Sequence, residues 1–157
     1  MVDKKALGAV GEPFQMVVER GKIAEMAKAV QATHPHHRGP NAVPPPTYFA
    51  TQFHWEDMVK GANPWDKVQM SQERGMHAEQ EYIFHGPPPA PGTVLNCQSR
   101  ISEIYEKQGR KGGTLTFVVM VTEFRDESGT LVAEAKLTGV ETSKPPEDDE
   151  EKKEQAS

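Results

Sequence analysis

The chain has 157 residues, 36% of them apolar, and a formal net charge of −5, a length that holds one domain with a core and is short for two. Most of the acidic excess sits at one end. Residues 145–157 carry six acids (Glu147, Asp148, Asp149, Glu150, Glu151, Glu154) against Lys152 and Lys153, a net −4 that leaves the rest near −1. So nearly neutral a body has no basic face to release counterions from a polyanion, so no nucleic acid partner is expected.

No stretch approaches the roughly 20 apolar residues of a spanning helix. The start, MVDKKALGAVGEPF, lacks an apolar run long enough for a signal peptide, so no membrane association and a cytoplasmic location are expected. The single cysteine, Cys97, rules out an internal disulfide and reads as a small core hydrophobe in a reducing compartment.

In chain order, residues 1–10 read as a leader and residues 11–18 (GEPFQMVV) as a short strand. Residues 19–31 follow with Ile23, Met26, Ala27 and Val30 at the i, i+3, i+4, i+7 spacing of an amphipathic helix. The string THPHHRGPNAV then reads as a loop without regular structure. A proline run, Pro44, Pro45 and Pro46, opens the most apolar helix, predicted over residues 46–60 with Thr47 as its nearest capping side chain. Tyr48, Phe49, Phe53 and Trp55 place apolar groups on more than one side of it, which suits a helix enclosed by a sheet. Gly61, Asn63 and Pro64 end it. Residues 63–75 form a polar connection with no clear assignment.

From Met76 the period becomes two. His77, Glu79, Glu81, Ile83 and His85 are expected on one strand face, and Met76, Ala78, Gln80, Tyr82 and Phe84 on the other. The PPPAPG run after Gly86 has too few amide donors to remain in a ladder. Strands are predicted over residues 93–107, 114–124 and 130–142, with a turn at 109–113 and a hairpin turn at Asp126, Glu127, Ser128 and Gly129. Residues 143–157, without an aliphatic larger than alanine, are expected to be disordered. The order is strand, helix, helix, then four consecutive antiparallel strands: an α+β domain over residues 11–142 in which a curved sheet wraps one helix.

Four strings sharpen this. GEPFQMVVERGKIAEMAKAV, VPPPTYFATQF, MHAEQEYIFHGPPPAPGTV and YEKQGRKGGTLTFVVMVTEFRDESGTLVAEA resemble, in this order, the N-terminal domain of MaoC-like dehydratases, also called the FAS1-like dehydratase domain. The resemblance covers roughly residues 11–140 and implies a hotdog fold. It also implies action on acyl groups carried by coenzyme A or acyl carrier protein, by hydration of a 2-enoyl thioester or dehydration of a 3-hydroxyacyl thioester. Catalytic hotdogs of this superfamily carry an aspartate followed five positions later by a histidine, with an asparagine-proline just ahead of that histidine. Five residues beyond Asp3, Asp57, Asp66 and Asp126 stand Gly8, Ala62, Ser71 and Leu131, so the dyad is absent. The histidine-phenylalanine-proline motif of another hotdog class is missing as well. The resemblance therefore implies the non-catalytic, acyl-binding half of a hydratase, paired with a catalytic hotdog subunit or with a second copy. No catalytic residue, metal or cofactor is expected in this chain.

Tyr48, Phe49, Phe53, His54 and Trp55 are the candidate substrate-binding residues, since a helix beside an acyl pocket uses the residue types that otherwise fill a core. Glu56 and Asp57 lie where thioesterase hotdogs place an acid, which leaves a thioesterase as an alternative beside a homodimeric acyl-thioester-binding module without hydratase activity. His34, His36 and His37 crowd into four loop residues far from Cys97, and read first as a solvated loop, second as a loop lining a substrate mouth, and only then as a zinc site. His77, Glu79, Glu81 and His85 are material for acid–base chemistry, but read first as a solvent-facing strand face. Arg100, Lys107, Arg110 and Lys111 could meet carrier phosphates or form ordinary surface. Fatty, mycolic-type and steroid side-chain thioesters all remain open.

Overall fold

A computed structural model describes residues 1–110 and 112–143. Lys111 and residues 144–157 of the tail expected to be disordered lie outside the described residues, whereas Ser143 at its start is held by hydrogen bonds to Thr114. Strand β1 (Phe14–Val17) leads to helix α1 (Arg20–Ala29), the short helix α2 (Gln52–Glu56), and strands β2 (Gly75–Phe84), β3 (Val94–Gln108), β4 (Thr114–Arg125) and β5 (Leu131–Thr142). All pairings are antiparallel, and the sheet order is β1-β3-β4-β5-β2.

The four strands that are consecutive in sequence are thus not consecutive in the sheet, because β2 pairs with β5 and not with β3. The connection from β2 to β3 contains Pro87, Pro88, Pro89 and Pro91, which supply no amide protons and cannot close a tight hairpin. β3–β4 and β4–β5 are joined by tight turns. The second is held by Asp126, whose carboxylate accepts from the amides of Ser128 (2.9 Å) and Thr130 (3.0 Å).

Residues directly opposite one another in these ladders share a face, so the inner face is built in rows. Cys97, Phe124 and Ala133 form one row, Ser99, Thr122 and Ala135 the next, and Ile101, Met120 and Leu137 a third. Tyr48 and Phe49 pack on these rows and are 0% and 2% exposed. The Phe49 ring lies 4.5 Å from that of Phe124, and the Tyr48 hydroxyl accepts the Glu19 amide at 3.0 Å. Burying each ring stabilises the fold by about 1.5–3 kcal/mol.

The central helix is shorter than the 15 residues predicted. It begins as a 3₁₀ turn over Tyr48–Thr51, continues as α2 over Gln52–Glu56, and then loosens into i→i+3 turns from Met58 to Ala62. Its entry is set by Pro45, whose carbonyl accepts the Tyr48 amide at 2.9 Å; Thr47 provides no side-chain cap. Its exit is set by Gly61 at φ 85, a left-handed conformation that glycine adopts without strain. The chain then packs so close to Gly11 that a Cβ there would fall 1.8 Å from the Ala62 carbonyl oxygen.

Residues 1–10, expected to be a leader, lie on the sheet. Lys4–Ala6 form a 3₁₀ turn, Val2 and Ala6 are buried, the Asp3 amide donates to the Val68 carbonyl at 2.8 Å, and Val10 bridges Arg100. The histidine-rich loop, expected to lack regular structure, contains a 3₁₀ turn at Pro35–His37 capped by the His34 ring. The unassigned connection contains another at Pro64–Lys67, capped by Asn63. Among the described residues no helix is long and apolar enough to cross a membrane.

Candidate functional site

A cavity of about 760 Å³ opens between α2, the Pro64–Lys67 turn and the inner face of β2, β4 and β5. Phe53 from α2, Trp65 and Met70 from the connection, and Met120 and Leu137 from the sheet make its apolar wall. One glycine permits that wall. A Cβ at Gly139 would fall 2.7 Å from the Trp65 ring and 3.2 Å from the Met70 methyl, so only a residue without a side chain lets Trp65 lie flat on β5.

The polar side chains on its lining are Asn63, Ser71, Gln72, His77, Gln80 and the Tyr82 phenol. The rim segment is tied down by Glu141, which is 4% exposed and accepts from the Ser71 amide (2.9 Å) and the Arg74 guanidinium (3.0 Å). Burial raises the Glu141 pKa, but these donors outweigh it and hold the carboxyl below its ordinary range. Among the described residues no aspartate or glutamate lines the cavity.

The only carboxylate on the buried side of α2 is Glu56, 1% exposed. Its Oε1 accepts the Ser99 hydroxyl at 2.7 Å. Ser99 shares a hydrogen bond with Thr122 (2.9 Å), which also accepts from the Gln52 amide (3.0 Å). Burial pushes the Glu56 carboxyl above its ordinary range; the Ser99 hydrogen bond opposes that shift, and Asp57 and Asp66 add to it. Glu56 Oε2 and Gln52 Oε1 have no hydrogen-bond partner. This network fastens the helix to the sheet and does not face the cavity.

Of the five candidate substrate-binding residues, Phe53 lines the cavity. Tyr48 and Phe49 are core, Trp55 packs against that core, and His54 is exposed with its ring against Trp55. Trp65, Met70, Met120 and Leu137 line the cavity beside Phe53 and are not among those candidates. Trp65 and Met70 are large apolar residues inside an otherwise polar connection, a signal that was present; Met120 and Leu137 are indistinguishable from ordinary strand residues.

On β2 the expected face assignment holds from Glu79 onward and is reversed for Met76 and His77. The register breaks between His77 and Glu79, so His77 pairs with Gly139 while Glu79 pairs with Thr138. A one-residue bulge at Ala78 therefore puts His77 on the cavity side with Gln80 and Tyr82, and leaves Glu79 and Glu81 outside. His85 pairs with Glu134 (2.8 Å) and Glu81 with Lys136 (3.3 Å).

His34, His36 and His37 do meet one another. The His36 ring centroid is 3.9 Å from that of His34 and 4.0 Å from that of His37, and His37 donates Nδ1–H to the Val43 carbonyl at 2.7 Å, leaving its Nε2 to accept from His36 at 3.0 Å. Burial, then the neighbouring imidazoles, lowers the His36 pKa. Among the described residues no three ligating side chains are placed to hold a metal. His34-Pro35 stands just ahead of His36 and His37, yet five positions before them are Gln31 and Ala32, so neither histidine has its acid. Of the basic residues, Lys107 covers the stacked rings of Tyr105 and Phe117 at 5.2 and 5.3 Å, and Arg100 lies 4.0 Å from Glu123.

No curated protein matches the chain. Among solved structures it is similar to the HadBC (3R-hydroxyacyl-ACP dehydratase) complex from Mycobacterium tuberculosis, at 22% identity and a TM-score of 0.64, covering 86% of this chain and 96% of that one. It is similar to the ChsH1-ChsH2 complex from the same organism at 17% identity and a TM-score of 0.64, covering 90% and 91%. A MaoC-like dehydratase matches at 21% identity and a TM-score of 0.70, over 87% of this chain but 42% of its own. These likenesses show the hotdog fold. The sequence also matches the family described as FAS1-like, dehydratase domain region, over residues 5–135. That match spans most of the chain, which therefore belongs to the FAS1-like dehydratase family of MaoC-like hotdog proteins.

Proposed function

We propose that this chain is the acyl-binding, non-catalytic subunit of a hydro-lyase acting on 2-enoyl or 3-hydroxyacyl thioesters of coenzyme A or acyl carrier protein. The observation that carries the reading is an apolar cavity of about 760 Å³ with no carboxylate on its wall among the described residues. Such a pocket can hold an acyl chain by burial but offers no acid to activate water beside a histidine. Two structural neighbours are complexes by name, which supports a catalytic hotdog subunit as partner. A homodimer is the second assembly to test. The working unit is residues 11–142 with the first ten residues packed on it, in the cytoplasm.

Glu56 gives a thioesterase little support, because it is buried in the Ser99–Thr122 network away from the cavity. Asp57, exposed at the end of α2, is not on the cavity wall. Crotonyl and longer 2-enoyl thioesters incubated with the isolated chain should show no hydration and no release of free thiol. Adding a hotdog subunit with the aspartate-x4-histidine dyad should give hydration and a stable complex on size exclusion. Hydration by the isolated chain would contradict the reading, and thiol release would favour the thioesterase.

A further inference from the structure

A strand that alternates strictly would place His77 on the face of Glu79 and Glu81. The bulge at Ala78 shifts the register ahead of it, so that His77, still exposed to solvent, stands on the cavity side instead. His77 lies on the cavity rim, opposite Gly139, which has no side chain to cover it. The Trp65 ring packs over Gly139 and lines the same cavity as His77. Of the other polar side chains that β2 turns to the cavity, Gln80 is already committed, donating to the Lys136 carbonyl at 3.1 Å, and Tyr82 packs its ring against the core. Among the described residues the His77 side chain makes no hydrogen bond, so its ring nitrogens are available to a ligand.

We infer that His77 is the specificity-determining residue at the cavity rim: it donates a hydrogen bond to the thioester carbonyl oxygen of a ligand whose acyl chain lies against Phe53, Trp65, Met120 and Leu137. The inference rests on the acyl-binding reading above and adds where the polar head is held. A neutral imidazole carries one N–H donor and an imidazolium two, so the contact is available in either charge state. The carbonyl oxygen is the acceptor that every 2-enoyl and 3-hydroxyacyl thioester shares and an alkyl thioether lacks, so the imidazole sets the depth to which the chain inserts. A ligand without that oxygen gains burial alone.

The test compares two probes of equal length, decanoyl-pantetheine and its S-decyl thioether, which lacks the carbonyl oxygen, by isothermal titration against the full chain. The wild type should prefer the thioester roughly three- to tenfold, the value of one net hydrogen bond. His77→Leu should bind the two probes equally, with thioether affinity unchanged. His77→Gln, which keeps an N–H donor, should retain part of the preference. If His77→Leu keeps the wild-type preference, the role of His77 is overturned while acyl binding stands. If the wild type binds neither probe, the acyl-binding reading is overturned, and the inference with it.

Discussion

Two buried glutamates make opposite demands on pH. Glu56 is held above its ordinary range by burial. A carboxyl whose folded pKa exceeds its unfolded value of about 4.3 adds stability that is present below that value and lost as pH rises through the folded pKa. Glu141 is held below its range because the Ser71 amide and Arg74 outweigh its burial. Its contribution is present above about 4.3 and lost as pH falls through the folded pKa. Thermal unfolding from pH 3 to 8 should therefore separate two variants. Glu56→Gln should gain relative to wild type as pH rises, because it removes a carboxyl that must ionise without a partner for Oε2. Glu141→Gln should lose about 1.5–3 kcal/mol at neutral pH, the size of charge-assisted hydrogen bonds, and approach wild type in acid. A pH-independent difference in either variant would show that the carboxyl's charge state is not what matters there.

At the scale of elements, the cavity depends on the contact between β5 and the Pro64–Lys67 turn. Gly139→Ala would place a methyl 2.7 Å from the Trp65 ring, and overpacking of that kind typically costs about 1–3 kcal/mol. The expected outcome is a lower midpoint of unfolding together with weaker binding of both decanoyl probes, since displacing Trp65 rearranges the apolar floor. Unchanged binding would mean that Trp65 does not shape the pocket. Helix α2 is held differently. Its five residues cannot be stable by propensity alone. They persist because Tyr48 and Phe49 fill the core ahead of it and Glu56 and Gln52 bond the sheet beneath it.

For the whole molecule, the open question is what covers β2. It is the last strand of the sheet on one side, paired only with β5, and Met76 on it is 56% exposed. An unpaired edge is a template for another strand, and a hotdog partner along β2 would also close the cavity, whose rim includes Met76 and His77. Met76→Glu should therefore shift the assembly toward monomer in light scattering while leaving the thermal midpoint nearly unchanged. An assembly insensitive to that substitution would point to a different interface.

The sequence by itself determined the strands, because alternation and the Asp126 to Gly129 turn are local properties, and the family, because four strings carry it in order. It also determined that no acid stands in the dyad's place, since that is arithmetic along the chain. It could not show that β2 lies beside β5: strand pairing is chosen by burial across the whole sheet, and the proline run says only that no hairpin closes there. Nor could it show the bulge at Ala78. An extra residue in one strand is defined only against the register of its partner, and the letters around His77 alternate as well outward as inward. The cavity is the clearest case. Its wall joins Phe53, Trp65, Met120 and Leu137, residues from four elements; Phe53 is legible as a candidate and Trp65 stands out in a polar connection, but nothing along the chain brings them beside Met120 and Leu137. Packing in three dimensions leaves the space between them, so only the tertiary structure decided where a ligand could go.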